Sequence, residues 1–166
     1  MRKVMLLYPI KVISKKMRIG IFVGTFNPFT IGHDSIVRRA LPLFDKLVIG
    51  VGVNTAKAGC SEEEVAARVE KIAQLYATED RVEVRSYSDL TVDFAQREGA
   101  QFIVKGVRSV KDFEYEREQA DINRRLSGLE TILLFAESGM ESVSSSLVRE
   151  LQRFGRDVSE FVAKEK

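Results

Sequence analysis

Apolar and polar positions follow two rhythms along this chain. Arg18–Gly24 (RIGIFVG) and Lys46–Val53 (KLVIGVGV) are nearly unbroken apolar runs. The first predicts a strand buried on both faces, as in a parallel sheet. Arg81–Tyr87 (RVEVRSY) alternates like a third strand, and Phe102–Lys105 and Leu129–Ala136 supply a fourth and a fifth. Between these runs the spacing turns helical. His33–Phe44 carries Ile36, Val37, Ala40 and Leu41 at helical intervals. Ser61-Glu62-Glu63-Glu64 is a capping box with Ser61 as N-cap, opening a helix to about Tyr76. Three acids in that first turn suit the helix dipole. Thr91–Glu98, closed by Gly99, predicts a short helix, and Ser109–Leu126 a long one ending near Gly128. Ser144–Phe154 predicts a further helix and Val158–Ala163 a last short one.

Strands alternating with helices imply right-handed crossovers and an α/β, doubly wound, five-stranded parallel sheet. Ligands of such sheets bind beyond the carboxyl ends of the strands, at the switch point. The informative loops are therefore those after Val23, Val53, Tyr87, Val104 and Ala136.

Composition narrows the classes. A chain of 166 residues is about one domain. With 45% hydrophobic residues it can bury a core without disulfides or a structural metal. Lys and Arg number 26 against 24 Asp and Glu, interspersed, so the charge points to neither nucleic acid nor a membrane surface. One cysteine, Cys60, excludes an internal disulfide, and one histidine beside it excludes a His/Cys zinc site. No apolar run reaches the roughly 18 residues of a membrane helix. Met1–Lys16 begins basic and contains apolar Val4–Ile10, but Pro9 and Lys11 interrupt it and it lacks an Ala-x-Ala site. The expected compartment is the cytoplasm.

The chain has no Walker A sequence, no G-x-G-x-x-G after its first strand and no G-x-S-x-G elbow. Its signal lies in Gly24-Thr25-Phe26-Asn27-Pro28-Phe29-Thr30-Ile31-Gly32-His33. A buried strand ends in glycine, a hydroxyl residue follows, and T-x-G-H opens the first helix with the chain's sole histidine. A histidine there can merely cap a helix. Its place at a strand's carboxyl end, among glycines that admit close backbone approach, points instead to a ligand.

The G-T-F-N-P-x-x-x-G-H wording resembles the nucleotidyltransferase superfamily whose T/H-x-G-H motif binds ATP. Lys105-Gly106-Val107-Arg108 with Asp112-Phe113-Glu114-Tyr115-Glu116 resembles the signature of the phosphopantetheine adenylyltransferases. Val143-Ser144-Ser145-Ser146, Val148-Arg149-Glu150, Asn123-Arg124 and Ser88-Asp89-Leu90 are similar to the same family. The likeness runs from about Met17 to Phe161. It implies a Rossmann-like fold and AMP transfer from ATP to 4′-phosphopantetheine, giving dephospho-CoA and pyrophosphate in coenzyme A biosynthesis. By resemblance, His33 donates to the α-phosphate of ATP. Thr25 binds the pantetheine phosphate or the bridging region, and Lys57 orients the attacking phosphate. Lys105 and Arg108 contact phosphates and nucleotide, Gly106 lets adenine approach the backbone, and Glu116 holds the nucleotide. Phe26 and Val107 join the ATP site, as do Met140, Glu141, Ser142 and Val143. Ser144, Ser145 and Ser146 open a helix onto the β- and γ-phosphates. Thr91 meets the pantetheine arm. Arg149 is either a pyrophosphate partner or a surface charge. Mg²⁺ arrives with ATP, without a protein metal site; CoA is a possible feedback ligand.

The resemblance also implies that residues 1–16 are an extension of a single 17–166 domain, and that the assembly is a homohexamer. In the long helix, Val110, Phe113 and Ala120 form one stripe, and Tyr115, Ile122 and Leu126 another nearly opposite. Two apolar faces predict that one packs on the sheet and a second subunit covers the other. Three departures stand out: Asn27 where the family has Asp, Lys105 where it has Arg, and Val65 where [ST]-x-E-E-R ends in Arg. The competing reading is a nicotinate- or nicotinamide-mononucleotide adenylyltransferase, favoured by G-T-F-N-P and opposed by D-F-E-Y-E and the all-serine triplet.

Overall fold

The computed structural model describes residues 16–53 and 61–165. Five parallel strands form one sheet: β1 (Ile19–Gly24), β2 (Lys46–Gly52), β3 (Val82–Tyr87), β4 (Phe102–Val107) and β5 (Glu130–Phe135). Their order is β3-β2-β1-β4-β5. The chain steps outward from β1 to β3, then returns to place β4 on the other side of β1. The switch point therefore lies between β1 and β4. Five helices cover the sheet: α1 (Ile31–Ala40), α2 (Glu62–Leu75), α3 (Thr91–Arg97), α4 (Val110–Ser127) and α5 (Ser145–Arg153).

The pleat of β1 sorts its apolar residues into two cores. Phe22 joins Phe26, Phe29, Ile36 and Val37 on the face covered by α1 and α2. Ile21 and Val23 join Phe94, Ala95 and Ile103 on the opposite face. Gly50 makes room there: a Cβ on it would stand 2.5 Å from the Phe94 ring. Phe94 in turn stacks on Tyr87 with centroids 4.5 Å apart.

Three expectations need correction. The first helix starts at Ile31 rather than His33, because Thr30 is its N-cap, and ends at Ala40, where Pro42 turns the chain into a 3₁₀ turn over Leu41–Leu43. Val158–Ala163 is not a helix. Its backbone groups find partners at the start of α1 instead: Ile31 N–H donates to Phe161 O at 3.0 Å, and Val162 bridges Thr30 antiparallel. In α4, neither apolar stripe packs on the sheet. Val110 is 74% and Phe113 38% exposed, while Tyr115, Ile122 and Leu126 are exposed as well. The half-covered side of α4 is mainly polar, carrying Asp112, Glu116, Gln119, Asn123 and Ser127. Of these, Asp112 and Glu116 rim the site rather than fill a core.

Candidate active site

Beyond the carboxyl ends of β1 and β4 lies a cleft of about 340 Å³. Strand-end loops and the first turns of α1 and α5 wall it, with the start of α4 beside them. Helix N-termini carry unpaired N–H groups and positive potential, so a phosphate chain fits this location.

His33 sits at the third position of α1, in a capping box where it replaces the usual acid. Its backbone N–H donates to Thr30 Oγ1 at 3.4 Å, and the Thr30 backbone N–H donates to its Nδ1 at 3.0 Å. A ring nitrogen that accepts from a main-chain N–H carries no proton. Nε2 therefore holds it, and the imidazole is a neutral donor. Phe26 meets the ring edge-on with centroids 5.0 Å apart, and Phe29 lies 5.3 Å away. Burial, with the Arg108 guanidinium as a second cause, lowers the His33 pKa from 6.5 to about 4. At neutral pH it is uncharged.

The turn before it is shaped by a positive φ. Phe26 has φ 46°, a conformation that costs a side chain of this size. The ring repays that by burial: it is 3% exposed, against Phe22 and Phe29. Gly24 lies beneath it, where a Cβ would come within 2.9 Å of the ring. Only glycine fits there. Gly32 differs, because a Cβ on it would meet nothing closer than 3.6 Å, yet it faces the cleft. The space over Gly32 is open for a ligand.

The cations of the cleft are already paired. Lys105 Nζ lies 3.4 Å from a Glu116 carboxylate oxygen of α4. Arg108 Nε donates to Asp112 at 3.1 Å, and another of its nitrogens donates to the Val143 carbonyl at 3.4 Å. Glu116 thus holds Lys105. Gly106 also has a partner: a Cβ there would reach Ile36 at 3.1 Å, so close packing of α1 on β4 accounts for this glycine.

Ser144 caps α5, accepting from the Leu147 N–H at 3.1 Å. The Ser145 hydroxyl donates to the Pro28 carbonyl at 2.8 Å. Arg149 donates to the Asn27 carbonyl and, at 3.0 Å, to Ser146 Oγ. α5 is thereby tied to the turn that carries His33, and Arg149 holds that tie.

Sequence reasoning placed most of these residues together. Thr25, Phe26 and His33 line the cleft from the β1 side, Lys105, Gly106, Val107, Arg108 and Glu116 from the β4–α4 side. Met140 and Val143 line it with the three serines. Glu141 and Ser142 do not. The loop folds on itself, with Val143 N–H donating to Met140 O at 3.1 Å, and both side chains turn outward; Glu141 accepts from Gly139 N–H at 2.8 Å. Lys57 lies outside the described residues. Thr91 borders a second cleft of about 410 Å³, lined also by Gly52, Val53 and Leu90. The two clefts share Val23, Gly24, Thr25 and Lys105.

Arg68 was not anticipated. It reaches from α2 to donate to the Thr25 carbonyl at 2.8 Å. It lies one turn beyond Val65, where the family's arginine is missing, and that offset is the only sequence signal for it. The motif alone gives Asp112 no role; the structure makes it the partner of Arg108.

The cytidylyltransferase-like family model matches residues 21–151. The phosphopantetheine adenylyltransferase of Phocaeicola vulgatus is 55% identical over 146 residues, 88% of this chain and 95% of that protein. The enzyme of the same name from Bacteroides fragilis is 53% identical over 148 residues, 89% of this chain and 97% of its own. Among solved structures, a bifunctional NMN adenylyltransferase/ADP ribose pyrophosphatase from Francisella tularensis superposes with TM-score 0.63 at 15% identity, covering 91% of this chain and 46% of that one. A putative nicotinate-nucleotide adenylyltransferase from Vibrio parahaemolyticus gives 0.61 at 17% identity, covering 90% and 95%. At those identities the structural matches establish the shared fold.

Proposed function

This chain belongs to the phosphopantetheine adenylyltransferase family, and on that premise we propose that its strand-end clefts join ATP to 4′-phosphopantetheine. An oxygen of the 4′-phosphate attacks the α-phosphorus of ATP. The new P–O bond forms as the bond to the β-phosphate breaks, giving dephospho-CoA and pyrophosphate. The observation that carries this reading is the pair of adjoining clefts meeting at Thr25 and Lys105. A two-substrate transfer needs two pockets with one shared wall.

The chemistry asks for position and charge stabilisation more than for a base, because the nucleophile is already an anion. His33 Nε2–H donates to the α-phosphate as charge develops there. As a neutral donor it gives up no proton and needs none back. Thr25 and Lys105, at the shared wall, orient the attacking phosphate, and Lys57 joins them by resemblance. The N-terminus of α5, with Ser144, Ser145 and Ser146, receives the β- and γ-phosphates. Mg²⁺ enters as part of the ATP substrate, and we assign it no protein ligand. CoA, which contains the product, is a candidate feedback ligand for the same clefts.

The exposed apolar residues of α4 support an oligomer, by family likeness a hexamer, in which a second copy covers Tyr115, Ile122 and Leu126. Among the described residues no helix is long and apolar enough to cross a membrane. Together with a single cysteine this supports the cytoplasm. We read residues 1–16 as an extension outside the catalytic unit.

The test is pyrophosphate release with ATP and either phosphopantetheine or nicotinate mononucleotide. Turnover with phosphopantetheine alone is expected. Turnover only with the mononucleotide would overturn the reading in favour of the sibling enzyme.

A further inference from the structure

We propose that Tyr76, which closes α2, is a positioning residue for His33: it holds the polypeptide on both sides of the imidazole and so fixes where the ring points. The inference rests on the catalytic role given to His33 above.

Tyr76 is 7% exposed and lies behind the ring rather than in the cleft. Its hydroxyl donates to Asp34 Oδ1 at 2.6 Å. Asp34 directly follows His33 in the first turn of α1. The other carboxylate oxygen, Oδ2, accepts from Arg38 Nε at 2.6 Å. Asp34 is thus clamped between its own helix and α2. The second grip is aromatic. The Tyr76 ring meets Phe29 edge-on, at 86° with centroids 6.3 Å apart, and Phe29 packs against the His33 ring at 5.3 Å. Phe29 lies four residues before His33, at the start of the turn. One side chain therefore fastens the residue after the histidine and the wall that the histidine leans on.

Burial and the bond to Asp34 push the Tyr76 phenol well above its usual pKa, so it remains a donor at every working pH. A buried hydroxyl bound to a carboxylate is a strong, directional link, and a short one at this distance. It joins the end of α2 to the first turn of α1. The bond between Thr30 N–H and His33 Nδ1 fixes the tautomer. It does not fix the tilt of the first turn against the sheet; Tyr76 does. In-line transfer tolerates little misplacement of a donor, and an error near 1 Å costs about 10²-fold.

The experiment uses Tyr76→Phe, which keeps the ring and removes only the hydroxyl. We expect kcat to fall about tenfold, with KM for ATP changed less than about twofold, as for loss of a contact felt only in the transition state. The same substitution in a His33→Asn background should cost nothing further, because the group it positions is gone. A second readout needs no turnover. The chain has one histidine, so a ¹⁵N-histidine spectrum reports His33 alone. Wild type and Tyr76→Phe should both show the Nε2–H tautomer at pH 7, with the Tyr76→Phe signals shifted or broadened as the ring tilts. Unchanged kcat in Tyr76→Phe would overturn the proposal, as would an equal loss in the His33→Asn background or an unaltered spectrum. Failure of wild type to turn over phosphopantetheine would instead overturn the functional reading, leaving the spectral test of positioning in force.

Discussion

His33 carries two loads on two nitrogens, and two substitutions separate them. Nδ1 accepts from Thr30 N–H at 3.0 Å and holds the turn, while Nε2–H is left to face a phosphate. An asparagine amide oxygen overlays Nδ1 of a histidine, whereas a glutamine amide overlays Nε2. His33→Asn should thus keep the turn and lose the donor. Losing one preorganised donor costs about 10²- to 10³-fold in kcat, about 3 to 4 kcal/mol of transition-state stabilisation. His33→Gln should keep part of the rate but orphan the Thr30 N–H, costing about 1–3 kcal/mol of stability. His33→Ala should suffer both: kcat down at least about 10²-fold and a lowered melting temperature, with ATP binding changed much less. The assays are pyrophosphate release, calorimetric ATP binding and thermal unfolding. Acid behaviour follows from the same geometry. The folded-state pKa is about 4 against an ordinary 6.5, so the unfolded chain binds the extra proton between these values. The stability tied to neutral His33 is complete above pH 6.5, falls as pH drops, and is gone below about 4. That window should vanish in His33→Asn. An Asn variant that kept near-wild-type kcat would remove Nε2 from the mechanism.

Three further outcomes test the rest of the site and assembly. Lys105→Ala should raise KM for phosphopantetheine far more than KM for ATP, and Lys105→Arg should be tolerated or mildly better, since guanidinium grips phosphate with two parallel bonds; equal damage to both substrates would mean that Lys105 serves the nucleotide or the fold. A chain starting at Met17 should keep activity and melting temperature, and a clear drop in either would mean that the extension packs on the domain. Ile122→Glu with Leu126→Glu should shift light scattering from an oligomer toward a monomer at micromolar concentration, because two charges would then need burial in an apolar contact; wild-type monomers would count against the oligomer itself.

Local signals carried most of the fold. The apolar runs located β1 and β2, since a strand buried on both faces leaves an unbroken mark, and the alternation of Arg81–Tyr87 located the half-covered β3. The capping box at Ser61 was likewise legible: Ser61 Oγ accepts from Glu64 N–H at 3.2 Å and the Glu64 carboxylate accepts from Ser61 N–H at 3.0 Å. Val158–Ala163 is not legible in the sequence, because six residues of mixed polarity do not distinguish a helix from a turn. Its conformation was set by Thr30, far away in sequence. The α4 stripes misled for a related reason. An apolar residue at helical spacing marks a face that something covers, without saying whether that is the helix's own sheet or another molecule. At the site, position in the motif gave membership of the cleft but not the internal partners. Nothing local tells that Lys105 meets Glu116, that Arg68 holds the Thr25 carbonyl, or that Phe26 takes a positive φ.

Those pairings change how the cleft attracts its substrates. Its charged side chains are Lys105 and Arg108 against Asp112, Glu116 and Glu137, two cations facing three carboxylates, with His33 neutral. Glu137 in turn lies 3.9 Å from Arg39. The side chains that line the cleft therefore provide no positive excess for a triphosphate. What remains is fixed polarity: the N-termini of α1 and α5, the N–H groups at Gly32 and the serines, and the Nε2–H of His33. Such donors act over one turn and only in the right direction, so they reward a phosphate that is correctly placed and ignore one that is not. Ion pairs that must loosen before Lys105 or Arg108 can turn to a ligand add to this selectivity. Part of the attraction that two free cations would give in the ground state is withheld until the ligand is seated. Binding energy spent on seating rather than on capture favours the transition state over the encounter complex, which is what an enzyme needs when both substrates are already anions.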